Sequence, residues 1–266
     1  MNRLYFYLRL FFGYLANALK TRMAYRQDFF IGFFSNIFTQ LIGILFVWAI
    51  FQKVTDIKGW RREEIFFIYG FSQMSLSFFF IFFMNLFNLS EEYVIEGRFD
   101  RLLVRPLSTF FQVLFERIYW EESSGLFVGI MMIAYSLSRL GFSWSLFDYL
   151  AIIPFILGAT LLYLGCFTIL ASLTFWFKER GGIIGPFLSL EIFSRYPITI
   201  YNRGIRIILS WIIPYGFTAF YPATRFLKRS EFSLFAWLAP LIGVIFFSFG
   251  CLFWQKGSKA YESTGS

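Results

Sequence analysis

The chain is poor in the residues on which most enzymes and metal sites depend. Among its 266 residues there is no histidine, only two are cysteine and 15 % are charged. Histidine is the usual general base, proton shuttle and metal ligand, so the residue that most often fills these roles is missing. No G-x-x-x-x-G-K-S/T phosphate-binding loop and no G-x-S-x-G nucleophile elbow occurs. These absences argue against an enzyme, and we expect this chain to hold no cofactor and no metal.

The chain contains four long stretches without any charged residue. A soluble domain carries about 25 % charged residues, whereas residues 29–51, 65–89, 149–177 and 232–255 contain no Asp, Glu, Lys or Arg. A membrane-spanning helix needs roughly 20 such residues. The sequence therefore predicts an all-α integral membrane protein in a lipid bilayer. The net charge of +8 comes from basic residues scattered beside apolar stretches, so we expect no nucleic-acid partner.

Hydropathy divides the chain, residues 1–266, into a single domain with six predicted transmembrane spans. Residues 181–201 and 207–224 are both apolar but broken by proline, and either is long enough to cross a bilayer. We take the first as a span and 202–231 as a re-entrant hairpin, because irregular backbone at membrane depth must be buried in protein. The predicted spans are about 29–51, 65–89, 120–138, 149–177, 181–201 and 233–255.

Residues 1–28 form a predicted amphipathic helix in the membrane interface. Leucines and other apolar residues recur there at helical spacing, with basic and polar side chains on another side. Six spans place both termini on the same side of the membrane. Lys and Arg are slightly more numerous on that side, which indicates cytoplasmic termini, whereas a seventh span would move the C-terminus outside.

The most polar part of the chain, residues 90–123, lies between the second and third spans. Within it, residues 96–107 alternate charged residues with Phe and Leu, as in a short amphipathic helix. Gly97 lets the chain turn out of the preceding helix and Pro106 ends the short one. Two interpretations stand side by side. The segment is either a solvated loop that caps two helices, or a docking lever for a cytoplasmic partner, with contacts from Arg98, Arg101 and Arg105.

Glu191 and Arg195 stand four residues apart inside the predicted fifth span. Glu before Lys or Arg at this spacing favours a helical ion pair. Ionisable groups at membrane depth are candidate functional sites, but a self-neutralised structural pair is the interpretation that we favour. Two glycine pairs, Gly125 with Gly129 and Gly181 with Gly185, have the spacing that permits close helix packing.

The sequence resembles the type-2 ABC (ATP-binding cassette) exporter permeases. The resemblance is closest to a bacterial subfamily with a G-x-x-D-x-L-L-x-R-P-L segment after the second span, and it covers nearly the whole chain. The residues that carry this motif are Gly97, Asp100, Leu102, Leu103, Arg105, Pro106 and Leu107.

The resemblance implies a partner arrangement that composition does not show. Two permeases, identical or related, would face each other, each docked on a cytoplasmic ABC ATPase that carries the ATP and Mg. Residues 91–108 would hold the coupling helix, and the implied coupling residues are Glu96, Gly97, Arg98, Asp100, Arg101, Arg105 and Pro106. The implied function is export of an amphiphilic substrate across the plasma (inner) membrane. The alternative is a non-transporting membrane scaffold that anchors cytoplasmic partners.

Overall fold

The computed structural model describes residues 3–177 and 184–263 and is 82 % helical. The first seven helices are α1 (Arg3–Ala24), α2 (Arg26–Ile50), α3 (Arg62–Phe83), α4 (Phe99–Leu103), α5 (Thr109–Phe115), α6 (Ser123–Leu140) and α7 (Leu146–Ser172). They are followed by α8 (Thr174–Phe177), α9 (Ile184–Ser189), α10 (Arg203–Ile207), α11 (Phe220–Phe226) and α12 (Ser233–Lys259). A two-stranded antiparallel hairpin, β1 (Asp56–Ile57) and β2 (Trp60–Arg61), joins α2 to α3.

Five helical stretches in the described part of the chain are long and apolar enough to cross a membrane. They begin and end within a few residues of five predicted spans, so the prediction of an all-α, multi-pass membrane protein is confirmed. The second is longer than predicted, because α3 continues through 3₁₀ and π turns past Glu91 and Glu92. The five stretches are Arg26–Ile50, Arg62–Ile95, Trp120–Leu140, Leu146–Phe177 and Ser230–Lys259.

Small residues let the long helices approach closely. A Cβ on Gly129 of α6 would lie 2.7 Å from the carbonyl oxygen of Gly70 on α3, and one on Gly125 would overlap Ser77 of α3. These contacts agree with the close packing predicted for the first glycine pair. In the second pair, a Cβ on Gly185 would meet nothing within 4 Å, and Gly181 lies outside the described residues.

The predicted fifth span, 181–201, begins outside the described residues and is not one continuous α-helix in the part that is described. After α9 the chain forms a 3₁₀ segment, Leu190–Arg195, and a second 3₁₀ turn, Ile198–Ile200. Tyr196 between them is extended, with φ −126° and ψ 156°. The break has a steric cause, because the ring of Pro197 disfavours helical backbone at the residue before it.

Residues 203–226 form two short helical arms bent by 75° around Pro214. Tyr215 at the bend is fully buried, with its ring 5.6 Å from that of Tyr163 on α7, and its hydroxyl donates to the Phe187 carbonyl at 3.0 Å. The bend therefore lies inside the bundle, beside the middle of α7.

Both arms return to the end of the bundle where α3 begins. Arg206 of the first arm donates to the Thr199 carbonyl at 3.2 Å, and the Thr199 hydroxyl accepts from Trp60 of β2 at 2.8 Å. Beyond the second arm, Arg229 forms an ion pair of 2.9 Å with Glu64 in the first turn of α3. The two arms thus enter and leave at the end that carries the β-hairpin.

The opposite end of the bundle holds the start of α1, the end of α12 and α4. Tyr7 and Phe11 of α1 pack on Phe111 and Phe115 of α5, with ring centroids 5.1 and 5.0 Å apart. Near the C-terminus, Tyr261 lies against α4. The apolar stripe of α1 predicted from its helical spacing is largely exposed, including Leu4 at 72 % and Met23 at 77 %.

Candidate partner-docking site

Gly97 gives the chain its turn from the end of α3 into α4. Its φ is +74°, a left-handed conformation that glycine adopts without the steric cost of a Cβ. The helix that follows, Phe99–Leu103, has only five residues. It is therefore shorter than the helix predicted over 96–107. Pro106 explains the early end, since it disfavours helical backbone at Arg105 and has no N–H to continue the hydrogen bonds.

Phe99 anchors the inner side of α4 to two other helices. Its side chain is fully buried, and its ring centroid lies 5.1 Å from that of Phe175 on α8 and 4.8 Å from that of Tyr261 after α12. Trp254 of α12 completes the aromatic cage at 6.2 Å. Leu102, one turn later, is 3 % exposed. Side-chain packing thereby stabilises a helix that is too short to be stable through its own backbone hydrogen bonds.

Gln112 of α5 closes the loop that follows α4. Its side-chain amide donates to the carbonyl oxygens of Leu102 at 3.2 Å and Leu107 at 3.3 Å. Ser108 caps α5 by accepting from the backbone N–H of Phe111 at 3.4 Å. The loop 104–108 therefore has a defined conformation between two short helices.

An internal charge network lies behind α4. Glu92 at the end of α3 binds both guanidinium nitrogens of Arg117 at 2.7 Å and forms an ion pair with Arg98. Arg98 also pairs with Glu116 at 3.0 Å, and Glu116 accepts from the Tyr93 hydroxyl. The hydrogen bond from Arg117 to Glu92 raises the pKa of the arginine further above its ordinary value. The network fixes the end of α3 to the stretch that leads into α6.

The outer side of α4 is exposed and carries the predicted docking arginines other than Arg98. Val104 is 85 % exposed and Leu103 51 %, with Arg101 and Arg105 exposed on either side of them. We call these four residues the outward face of α4. Arg105 makes one long hydrogen bond of 3.4 Å with Gln112. Of the other predicted coupling residues, Pro106 and Glu96 are exposed and Asp100 accepts from the Ser263 hydroxyl at 2.7 Å.

The structure separates the predicted docking arginines into two groups. Arg98 is used inside the chain, whereas Arg101 and Arg105 point to the surface. The internal partners Glu92, Glu116 and Arg117 were missed as site residues by sequence reasoning. Their positions relative to Arg98 do not follow helical spacing, so no local pattern reveals them.

The predicted pair of Glu191 and Arg195 forms, well away from α4. Their side chains meet at 2.8 Å, and Glu191 is 2 % exposed. The other carboxylate oxygen accepts from Ser72 at 3.0 Å and Ser194 at 3.1 Å. The Arg195 guanidinium lies 5.6 Å from the centre of the Tyr69 ring on α3. Both oxygens of the buried acid are thus hydrogen-bonded, which agrees with the structural interpretation.

A comparison with known protein families identifies the family of this chain. The family model described as ABC-2 family transporter protein matches residues 36–265. The chain belongs to the ABC-2 transporter family. An ABC-2 protein of this kind is the membrane component, or permease, of an ABC transporter; it works with an ABC ATPase and is not itself catalytic. The match includes α4 and the Glu191–Arg195 pair. No curated protein and no solved structure matches the chain.

Proposed function

We propose that this ABC-2 protein is the permease subunit of an ATP-driven exporter, powered by a separate cytoplasmic ATPase that docks on the outward face of α4. The observation that carries the proposal is the two-sided character of α4. Its inner side is packed in an aromatic cage around Phe99, whereas its outer side exposes Leu103 and Val104 between two arginines. Apolar residues flanked by arginine are the composition of a partner-binding surface.

The same geometry gives docking a mechanical consequence. A displacement of α4 acts on α8 and α12 through Phe99, and on the end of α3 through Arg98 and Glu92. Arg117 extends the connection to the start of α6. Closure of two ATPases would therefore be transmitted to four membrane-embedded elements at once. Residues 91–108 are the coupling segment in this proposal.

The contacts support six membrane crossings rather than five. The stretch from Ile184 to Ile200 runs from Phe187, which packs on Phe167 near the α8 end of α7, to Thr199 beside the β-hairpin. We take it as the fifth crossing, made by short helices with an extended link at Tyr196. Residues 203–226 are then a re-entrant hairpin, because both of their ends lie beside the start of α3. Such irregular backbone is tolerated when it is buried in protein.

In this proposed topology, the start of α1 and the end of α12 lie on the side of α4. If an ATPase docks there, both termini are cytoplasmic and the chain lies in the plasma membrane of a bacterium. The exposed apolar stripe of α1 then rests in the cytoplasmic membrane interface, parallel to the surface.

The exposed apolar surface of α2 favours a second permease chain in the assembly. Val47 is the only fully buried residue of α2, and Phe38, Ile42 and Phe46 are between 60 and 70 % exposed. A second permease, identical or related, would cover part of that surface. The substrate path between two such walls would be rich in aromatic side chains and poor in charge, which suits an amphiphilic substrate.

Co-purification tests the proposed function. The tagged chain is extracted from native membranes in a mild detergent, and its companions are identified by mass spectrometry. We expect a Walker-A-bearing ATPase in near-equal amount. Combined Arg101→Glu and Arg105→Glu replacements should remove it, because they reverse the charge of the outward face of α4.

A matched control reverses the same amount of charge at the opposite end of the bundle. Lys53→Glu combined with Arg203→Glu alters two exposed cations there and should leave the ATPase bound. Absence of an ATPase from the parent chain in several mild detergents would favour the scaffold function instead. Equal loss in both double variants would show that net charge, not the outward face of α4, controls the association.

A further inference from the structure

A small polar cavity lies in the membrane-embedded part of the bundle, between α2, α3, the start of α6 and the 3₁₀ segment that carries Arg195. Its volume is about 120 Å³. Gln73 in its wall is roughly 16 Å along α3 from Arg62, at about 1.5 Å per residue, which is half of a bilayer core about 30 Å thick. Its polar wall is formed by Asn36, Thr39, Gln40, Gln73, Ser77, Glu122 and Arg195.

Two residues of the cavity wall carry buried polar atoms that have no partner among the described residues. Gln73 is 4 % exposed, and its amide nitrogen makes no hydrogen bond. The side-chain oxygen of Gln40 is also buried and unpaired. More such atoms follow at the start of α6, where the Trp120 indole N–H and the Ser124 hydroxyl are unpaired. Buried polar groups are nearly always hydrogen-bonded in native proteins, so this concentration indicates a group that the chain itself does not supply.

The charges around the cavity leave one carboxylate uncompensated. Glu122 accepts a hydrogen bond from Asn36 at 3.1 Å and has no ion pair in the described part of the chain. The neighbouring Glu121 is paired with Arg22 at 2.9 Å, and Arg195 is neutralised by Glu191 at 2.8 Å. An acid at membrane depth without a cation is costly unless it is protonated or meets a positive group.

We propose that the polar cavity binds the ammonium group of an amphiphilic amine, which defines the substrate class of the exporter proposed above and rests on that function. The ammonium hydrogens would be accepted by the Glu122 carboxylate, and by the Gln40 oxygen once that side chain turns toward the cavity. The Gln73 amide, turned toward the cavity in the same way, would donate to an oxygen near the nitrogen, such as a hydroxyl or carbonyl. An anionic group does not fit, because Arg195 is already committed to Glu191.

The size of the cavity limits it to a headgroup. Pockets for drug-sized molecules have volumes of roughly 300–1,000 Å³. A cavity of about 120 Å³ admits a short polar group and leaves the apolar tail outside, in the hydrocarbon. The site therefore selects by the chemistry of the head and tolerates different tails.

Three soluble probes with the same chain and different heads test the site. Hexylammonium, hexanol and hexanoate are titrated against the full chain in lipid nanodiscs, and binding is followed by saturation-transfer NMR. We expect saturable binding of hexylammonium, at least about tenfold tighter than of the other two, because hydrogen bonds to a charged group are the strong ones.

Two cavity variants and one control define the residues. Glu122→Gln keeps the shape and removes the charge, and it should weaken hexylammonium binding at least about tenfold. Gln73→Leu should weaken it less, by about threefold. Glu231→Gln removes an exposed carboxylate far from the cavity and should change nothing. Variants are compared only where their size-exclusion profiles match that of the parent, so that misfolding is not read as lost binding.

The outcomes separate this proposal from the function on which it rests. Equal binding of the three probes, or unchanged binding in Glu122→Gln, overturns the site and would indicate a cavity that holds water. If the ATPase still co-purifies in that case, the exporter function stands. Selective hexylammonium binding without any ATPase supports the site but removes its role in ATP-driven export.

Discussion

Phe99 offers the sharpest test of how α4 is held. Its ring is fully buried between Phe175, Trp254 and Tyr261. Replacing a buried Phe by Ala costs about 3–5 kcal/mol in protein cores, and we take the lower end here because α4 lies at the rim of the bundle. Since 1.4 kcal/mol is a factor of ten, about 3 kcal/mol in Phe99→Ala raises the equilibrium constant for local opening of α4 roughly a hundredfold.

Tryptic cleavage after Arg101 measures that opening. In nanodiscs the cut requires α4 to leave its cage, and its rate follows the open population when reclosing is fast. We expect cleavage about a hundredfold faster in Phe99→Ala and an intermediate rate in Phe99→Leu. Leu103→Ala is the matched control, because Leu103 is on the same helix but 51 % exposed, and its rate should stay within about threefold of the parent. Equal acceleration in Leu103→Ala, or none in Phe99→Ala, would refute the anchoring role.

Three further predictions concern buried charge and glycine packing, and each is measured as the thermal midpoint and the size-exclusion profile in nanodiscs. Arg195→Leu leaves Glu191 buried without its cation and should cost about 3–5 kcal/mol, whereas Leu at both positions should cost less; equal damage with intact assembly would contradict the structural interpretation. Gly97→Ala should cost about 1–2 kcal/mol because its φ is +74°, and an unchanged midpoint would show that the turn adjusts freely. Gly243→Ala on α12 would place a methyl on a glycine carbonyl of α7 and should separate the two helices, whereas Gly185→Ala, with open space around its Cβ, should be neutral; similar midpoints in these two would contradict the close packing.

The membrane helices could be predicted because a bilayer imposes a simple rule. A spanning segment must be apolar and must satisfy its backbone internally, so uncharged stretches such as 29–51 and 149–177 correspond to α2 and to α7 with α8. The rule does not identify the end of a helix that continues beyond the apolar stretch into charged residues. α3 continues into Leu89–Ile95 although Glu91 and Glu92 follow the apolar stretch, because those turns lie outside the apolar core and Glu92 is paired.

Long-range pairing explains what could not be predicted about the candidate site. The exposed side of α4 follows from the alternation of Arg and Leu in 96–107. The use of Arg98 inside the chain does not, because its partners Glu92 and Glu116 are brought together by the turn at Gly97 and by α5. The Glu191–Arg195 pair could be predicted, since both residues lie in one helical segment. The polar cavity could not, because its wall comes from four separate segments.

The two-sided structure of α4 also separates a transporter from a scaffold. A scaffold requires only the outward face, so loosening Phe99 should leave partner binding and partner activity unchanged. A permease requires the anchor as well, because force from the ATPase must reach α8 and α12. In Phe99→Ala we therefore expect the ATPase to co-purify as before, while ATP hydrolysis loses its response to substrate. Retained binding with a full response would mean that α4 tethers the partner without transmitting its motion.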